Sequence, residues 1–382
     1  MTAEIDVTQY EPLATGRHSS LFEADWESSK TVLADRFCER RVAVIGAAGS
    51  IGSAVVKELI RFLPRSLVLF DLNENSLVEI VRDLRSSPGL KLPDQLEELP
   101  IGLGTMEFLR YFRETERFDY ILNLSAMKHV RSEKNVYCLM RMVDTNVLFL
   151  DDFINALPEP CAKFFSVSSD KAVSPANLMG ATKMVMEKVL FLRSVRQPFS
   201  TARFANVAFS NGSLAHGFLQ RIQKRQPLAA PRDIKRYFIS HAEAATLCLF
   251  ACALGNNADV FFPKPESLVE FTFPEIAEAL LRSLGYVPHL CCSEEEARAK
   301  AREMIPHKRW PCYFSTSDTS GEKPFEAFVA EGDTVDNSRF ISMGVVQQSV
   351  RCSAAEVEAF LAFAREARTS LIFICVEVPE PV

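Results

Sequence analysis

The chain has 382 residues, of which 48% are hydrophobic and 24% charged, and a formal net charge of −6. That length allows two domains or one large α/β unit with a lobe attached, and the balance is that of a globular chain, not a disordered one. The acidic charge excludes a general electrostatic attraction to nucleic acid or to acidic membranes.

The start, Met1-Thr2-Ala3-Glu4-Ile5-Asp6, has no basic cluster and no apolar run, so no signal peptide is expected. The run Leu371-Ile372-Phe373-Ile374-Cys375-Val376 is too short to cross a bilayer as a helix. A soluble cytoplasmic protein is the expectation. None of the ten cysteines forms a Cys-x-x-Cys unit. Cys248 and Cys252 lie on an apolar helical stretch and read as buried free thiols in a reducing compartment, with no metal site expected.

Residues 1–40 are polar and partly helical, and read as an arm on a neighbour or a solvated extension. Arg41-Val42-Ala43-Val44-Ile45 is the first buried strand, and residues 50–63 carry helical periodicity. Ser66-Leu67-Val68-Leu69-Phe70 is a second strand ending at Asp71. Tyr120 to Leu124 and Lys163 to Val167 are two more, with helices around 75–85, 106–116, 136–155 and 177–195. Alternating strand and helix predicts a doubly wound parallel sheet, Rossmann-like, over residues 41–205. From 206 to 382 shorter elements, punctuated by Pro227, Pro231, Pro263 and Pro265, predict a smaller substrate lobe and a carboxy-terminal extension, with a possible return of the chain to the sheet. Helices are expected at 242–255, 274–284 and 354–368; residues 287–340 carry no assignable pattern.

The first strand runs into Gly46-Ala47-Ala48-Gly49-Ser50-Ile51-Gly52. Glycines there permit a tight turn and let the backbone approach a pyrophosphate that meets the amides of a helix amino terminus. Asp71 at the end of the second strand is placed to accept hydrogen bonds from ribose hydroxyls, which favours NAD over NADP. Farther along, Ser168-Ser169-Asp170-Lys171 is followed by Met179-Gly180-Ala181-Thr182-Lys183. The spacing of a Tyr-x-x-x-Lys pair survives, with methionine in place of the phenol.

Together these runs resemble the extended short-chain dehydrogenase/reductase superfamily, and within it the polysaccharide-biosynthesis branch that includes UDP-N-acetylglucosamine 4,6-dehydratases. The matching runs also include Phe70-Asp71-Leu72-Asn73-Glu74, Ala126-Met127-Lys128-His129-Val130, Arg203-Phe204-Ala205-Asn206-Val207 and Arg236-Tyr237-Phe238, in family order over about residues 41–260. The resemblance implies an NAD-dependent lyase that oxidises a nucleotide sugar at C4, eliminates water across C5–C6 and returns hydride to C6. It implies Lys171 as the C5 base, Asp170 as the acid at the departing C6 oxygen, Ser169 as a hydrogen-bond partner of the C4 oxygen, and Lys183 on the nicotinamide ribose. Met179 matches the tyrosine-lacking members. Gly46 to Gly52, Asp71 and Asn73 would hold the cofactor. Lys128 and His129 would line the crevice, and Asn206 and Arg236 would hold the diphosphate. A UDP-linked sugar and a homo-oligomer are the expected partners.

Several positions depart from the branch. Gly102-Leu103-Gly104-Thr105 lacks the aspartate that contacts adenine, Arg131 replaces the proline after Lys-His-Val, and Ala205 replaces the glycine after Arg-Phe. The alternatives on the same fold are a C4 epimerase or ketoreductase, disfavoured by the missing tyrosine, and a non-catalytic nucleotide-sugar-binding protein.

Overall fold

A computed structural model describes residues 6–317, 323, 327–347 and 353–369. Helices α1 (Glu11–Thr15) and α2 (Glu23–Phe37) precede β1 (Arg41–Ile45), α3 (Ser50–Leu59), β2 (Ser66–Phe70), α4 (Glu74–Ser86), β3 (Gln95–Leu99), α5 (Met106–Glu114) and β4 (Tyr120–Asn123). Then come α6 (Val136–Val143), a π-helical turn (Asp144–Leu148), α7 (Phe149–Ala156), β5 (Lys163–Ser169), α8 (Leu178–Arg193) and β6 (Phe199–Phe204). These strands lie in one parallel sheet, ordered β3-β2-β1-β4-β5-β6, the doubly wound order.

The register is set by apolar pairs such as Val44 with Leu69 and Val44 with Leu122. All five residues of β1 and of β2 are buried because helices cover both faces. On one side α3 contributes Val55, Val56 and Leu59. On the other, Phe108 and Phe112 of α5 pack with Phe153 of α7, ring centroids 4.7 to 4.9 Å apart.

Beyond β6 the chain forms β7 (Asn206–Val207), α9 (Leu214–Gln223), β8 (Leu228–Pro231), β9 (Lys235–Ile239), α10 (His241–Leu254), β10 (Asp259–Pro263), β11 (Glu270–Thr272) and α11 (Phe273–Ser283). It ends in β12 (Val287–Leu290), α12 (Glu294–Met304), β13 (Arg309–Ser315), β14 (Thr334–Asp336), β15 (Met343–Gln347) and α13 (Ala354–Thr369). β10 extends the large sheet in parallel beside β6, and β15 and β14 follow antiparallel, giving nine strands among the described residues. Two small sheets, β11-β9-β7 and β12-β13-β8, build the lobe. The stretch 287–340 thus splits: β12, α12 and β13 serve the lobe, and β14 the large sheet.

Helix α10 is buried along its length, and Cys248 and Cys252 are free thiols inside it whose pKa values burial pushes up. Residues 6–40 differ from the arm or solvated extension expected. Phe22, Leu33 and Phe37 are fully buried in the main core, and Asp25 accepts hydrogen bonds from the N–H groups of Ile341 and Ser342 at 2.7 and 2.8 Å. Arg17 also pairs with Glu243, and Glu11 accepts from His241 N–H, both at the start of α10. These apolar residues are spaced thinly among polar ones, which hides a one-sided burial. No helix among the described residues is long and apolar enough to cross a membrane.

Candidate active site

The glycine turn after β1 is shaped by close backbone approach. Gly46 has φ of +77°, and a Cβ there would stand 2.8 Å from the Ser125 nitrogen. A Cβ on Gly52 would stand 2.0 Å from the Gly46 oxygen, so neither position admits a side chain. Gly49 is the N-cap of α3, and Ser50, Ile51 and Gly52 form its first turn, on the wall of a cleft. Asp71 closes the turn from β2: one carboxylate oxygen accepts from Ala48 N–H and the other from Asn73 N–H, both at 2.9 Å. Each oxygen keeps a lone pair for a further donor. Asn73 caps α4 by accepting from Ser76 N–H. The turn therefore fits a dinucleotide: no side chain fills the cradle, helix amides point from it, and a carboxylate stands at its far edge.

Ser169, Asp170 and Lys171 follow where β5 ends in a 3-10 turn, at the carboxyl edge of the sheet. Asp170 is 3% exposed, which distinguishes it from an ordinary surface ion pair. Three donors meet its Oδ1: the Ser169 hydroxyl at 2.7 Å, the Lys171 N–H at 2.8 Å and Lys171 Nζ at 3.2 Å. Among the described residues none reaches Oδ2. Ser169 Oγ also accepts from Lys171 N–H at 3.2 Å, so the three residues form one hydrogen-bonded unit.

Helix α8 packs directly against that unit. A Cβ on Gly180 would lie 2.4 Å from the Lys171 oxygen, so only glycine permits this approach. Asn177 caps the helix by accepting from Gly180 N–H, and Glu133 Oε2 accepts from Leu178 and Met179 N–H. Met179 is buried, 3% exposed, on the cleft wall. One turn on, Lys183 is equally buried; its Nζ donates to the Val167 oxygen at 3.0 Å. Burial lowers its pKa to about 8, with Glu187 opposing. Beneath, Glu187 accepts from Ser168 Oγ at 2.6 Å and from both Nε and Nη2 of Arg203, a buried network that fixes β5, β6 and α8 together.

The cleft, about 710 Å³, lies between the sheet edge and the lobe. Lys128 and His129 line it, and burial lowers the pKa of each, the Lys128 charge adding to the effect on His129. The His129 ring rests on Gly212, which has φ of +76° and where a Cβ would come within 2.8 Å of the ring. Asn206 lines the lobe side and donates to the Tyr237 oxygen at 3.3 Å.

Arg236 departs from expectation. It is 3% exposed, does not line the cleft, and its Nη1 donates to the oxygens of Lys235 and Lys323 at 2.8 Å. It lies in β9, which pairs with β7 and β11. Two residues that position the site escaped the sequence reading. Asn146, in the π-helical turn, accepts from Met127 N–H and donates to the Met127 oxygen and to Thr182 Oγ1, tying the 127–129 segment to α8. Such π turns recur at functional sites, but nothing in the local sequence marks this one. Glu133 is the other.

Residues 42–347 match the family described as polysaccharide biosynthesis protein. The chain belongs to this family. A Methanocaldococcus jannaschii relative, described as an uncharacterized membrane protein, is 32% identical over 260 residues, 65% of this chain and 74% of that protein. The capsular polysaccharide biosynthesis protein CapD of Staphylococcus aureus is 29% identical over 270 residues, 68% of this chain; the chain spans only 43% of CapD. Among solved structures, Pen from Bacillus thuringiensis is similar in fold with a TM-score of 0.67 at 18% identity, covering 86% of this chain and 98% of Pen. DesIV, a dTDP-glucose 4,6-dehydratase of Streptomyces venezuelae solved as a double mutant with NAD bound, gives 0.58 at 15% identity, covering 86% and 97%. The fold is that of the extended short-chain dehydrogenase/reductases, polysaccharide-biosynthesis branch.

Proposed function

We propose that this chain is an NAD-dependent nucleotide-sugar 4,6-dehydratase of the UDP-N-acetylhexosamine type. The observation that carries the reading is the Asp170–Lys171 pair at the carboxyl edge of β5, Asp170 buried and Lys171 half-buried, pressed against the amino terminus of α8, where Met179 stands in the phenol's place. Proton chemistry at this cleft then falls to the acid and the amine instead of a tyrosine.

Bound NAD would supply hydride acceptance at C4 and hydride return at C6. The Gly46–Gly52 turn and Asp71 would bind it, and the run Asp71-Leu72-Asn73-Glu74 offers acids and no cation to a 2′-phosphate, which favours NAD over NADP. Lys183 in its charged form would bind the nicotinamide ribose and stabilise negative charge developing at C4 oxygen. Lys171 Nζ would take the C5 proton, acidified by the C4 ketone. Ser169 would hold the C4 oxygen, Asp170 would take the C4 hydroxyl proton as hydride leaves and give it to the departing C6 oxygen, and Lys171 would return a proton to C5 as hydride reaches C6. Lys128, His129 and Asn206 would contact the nucleotide sugar. The buried Glu187–Arg203 pair keeps these groups in register without touching substrate.

The test is turnover of nucleotide-diphosphate sugars by the purified protein: product lighter by one water supports the reading, and product of unchanged mass would favour an epimerase. Lys171→Ala should abolish turnover while cofactor binding persists. Full activity in that variant would remove Lys171 as the base.

A further inference from the structure

The segment between β4 and α6 carries charges that the reaction just described does not use. Val130–Lys134 forms a 3-10 helix, in which side chains three apart eclipse. Arg131 and Lys134 therefore share one side of it, and both line the cleft, as does Lys128. Glu133 is committed elsewhere, to the Leu178 and Met179 N–H groups at 2.8 and 3.2 Å. Asn146 pins the backbone just before, at Met127. The segment is thus a fixed wall bolted to the helix that bears Met179 and Lys183.

Both side chains are exposed, and among the described residues neither Arg131 nor Lys134 makes an ion pair or a side-chain hydrogen bond. Among the described residues the carboxylates lining the same cleft are Asp170, already held by Ser169 and Lys171, and Glu294 at the start of α12. Like charges side by side repel, and an anion between them relieves that repulsion. Arg236, expected to hold the diphosphate, is buried in the lobe.

We propose that Arg131 and Lys134 form an anion subsite that receives a phosphate or carboxylate group of the nucleotide sugar. The proposal rests on reading the cleft as a nucleotide-sugar site. A guanidinium suits either group through its planar fork, with the ammonium adding a second point charge.

Calorimetric titration of the full chain with its cofactor tests this. The ligands are UDP, UDP-N-acetylglucosamine, the corresponding C6 uronate, and uridine as the uncharged control. The proteins are the native chain, Arg131→Gln, Lys134→Gln and the double variant. Each single substitution is expected to weaken at least one anionic ligand about tenfold, as loss of a charge-assisted contact does, and to leave uridine unaffected. Equal loss for UDP and both UDP-sugars assigns the subsite to the diphosphate; loss confined to the uronate assigns it to a sugar carboxylate. Unchanged affinity of the double variant for all three anions overturns the proposal, as does equal weakening of uridine. If no nucleotide sugar loses water yet anion binding still depends on these charges, the dehydratase reading fails and the subsite stands.

Discussion

Lys183 is the residue whose environment speaks most directly to pH. Its ammonium is buried, and its pKa falls to about 8 from an ordinary value of 10.5. A step that needs this charge should therefore be level below pH 8 and decline above it, where an exposed lysine would stay charged to pH 10. A kcat profile flat through pH 9 would contradict that role. The same shift has a consequence for stability. The unfolded chain binds this proton more tightly, so the burial cost is fully present below pH 8 and is relieved as pH rises past the unfolded value. Lys183→Met should then stabilise the cofactor-free protein to urea at pH 7 by up to roughly 3 kcal/mol, while abolishing turnover. At this scale Asp170, Lys171, Met179 and Lys183 are legible in the sequence because they are neighbours along it. Arg236, Asn146 and Glu133 are not, because burial and partners more than ten residues away decide what they do.

Among elements, the contact between the 170–172 turn and α8 is the most constrained. Gly180→Ala inserts a Cβ 2.4 Å from the Lys171 oxygen, so either the turn or the helix must move. The expected result is a fold that survives, destabilised by about 1 to 3 kcal/mol, with kcat lowered about 100-fold because a displacement near 1 Å disrupts acid–base geometry. Unchanged kcat with an unchanged melting temperature would show that the contact does not position the pair. The strands that flank this site were legible because both faces are covered, so their apolar runs are unbroken. β3 was not: at the sheet edge, Gln95-Leu96-Glu97-Glu98-Leu99 keeps its backbone pairing to β2 but exposes the polar Gln95 and Glu97 at alternate positions. β12 and β13 were hidden for a related reason, since among the described residues β12 pairs only with β13 and β13's other partner, β8, lies far back in the chain.

Across the whole molecule, two terminal segments close the core. Phe22, just before α2, and Phe37 at its end join the main cluster, and α13 covers Val147, Leu148 and Val189 with Val357 and Leu361. Ion pairs from Arg193 to Glu358 and from Arg365 to Asp151 and Asp152 hold α13 in place. Truncation before residue 353 should expose that apolar strip, lower the melting temperature and promote self-association, seen as a rise in mass by light scattering. A truncated chain with the native melting temperature and mass would show that α13 contributes nothing to the core. The amphipathic period of α13 was visible in the sequence, but the face it covers was not.

All these scales converge on a cleft in which an acid–amine pair replaces a phenol. The most direct measurement is incubation of the chain, loaded with NAD, with UDP-N-acetylglucosamine in heavy water, followed by mass spectrometry of the product. The account predicts loss of one water and gain of one deuterium, carried at C5 from a solvent-exchanged group, with the C4 hydrogen retained at C6. An isomer of unchanged elemental composition, or a dehydrated product with no deuterium at C5, would contradict it.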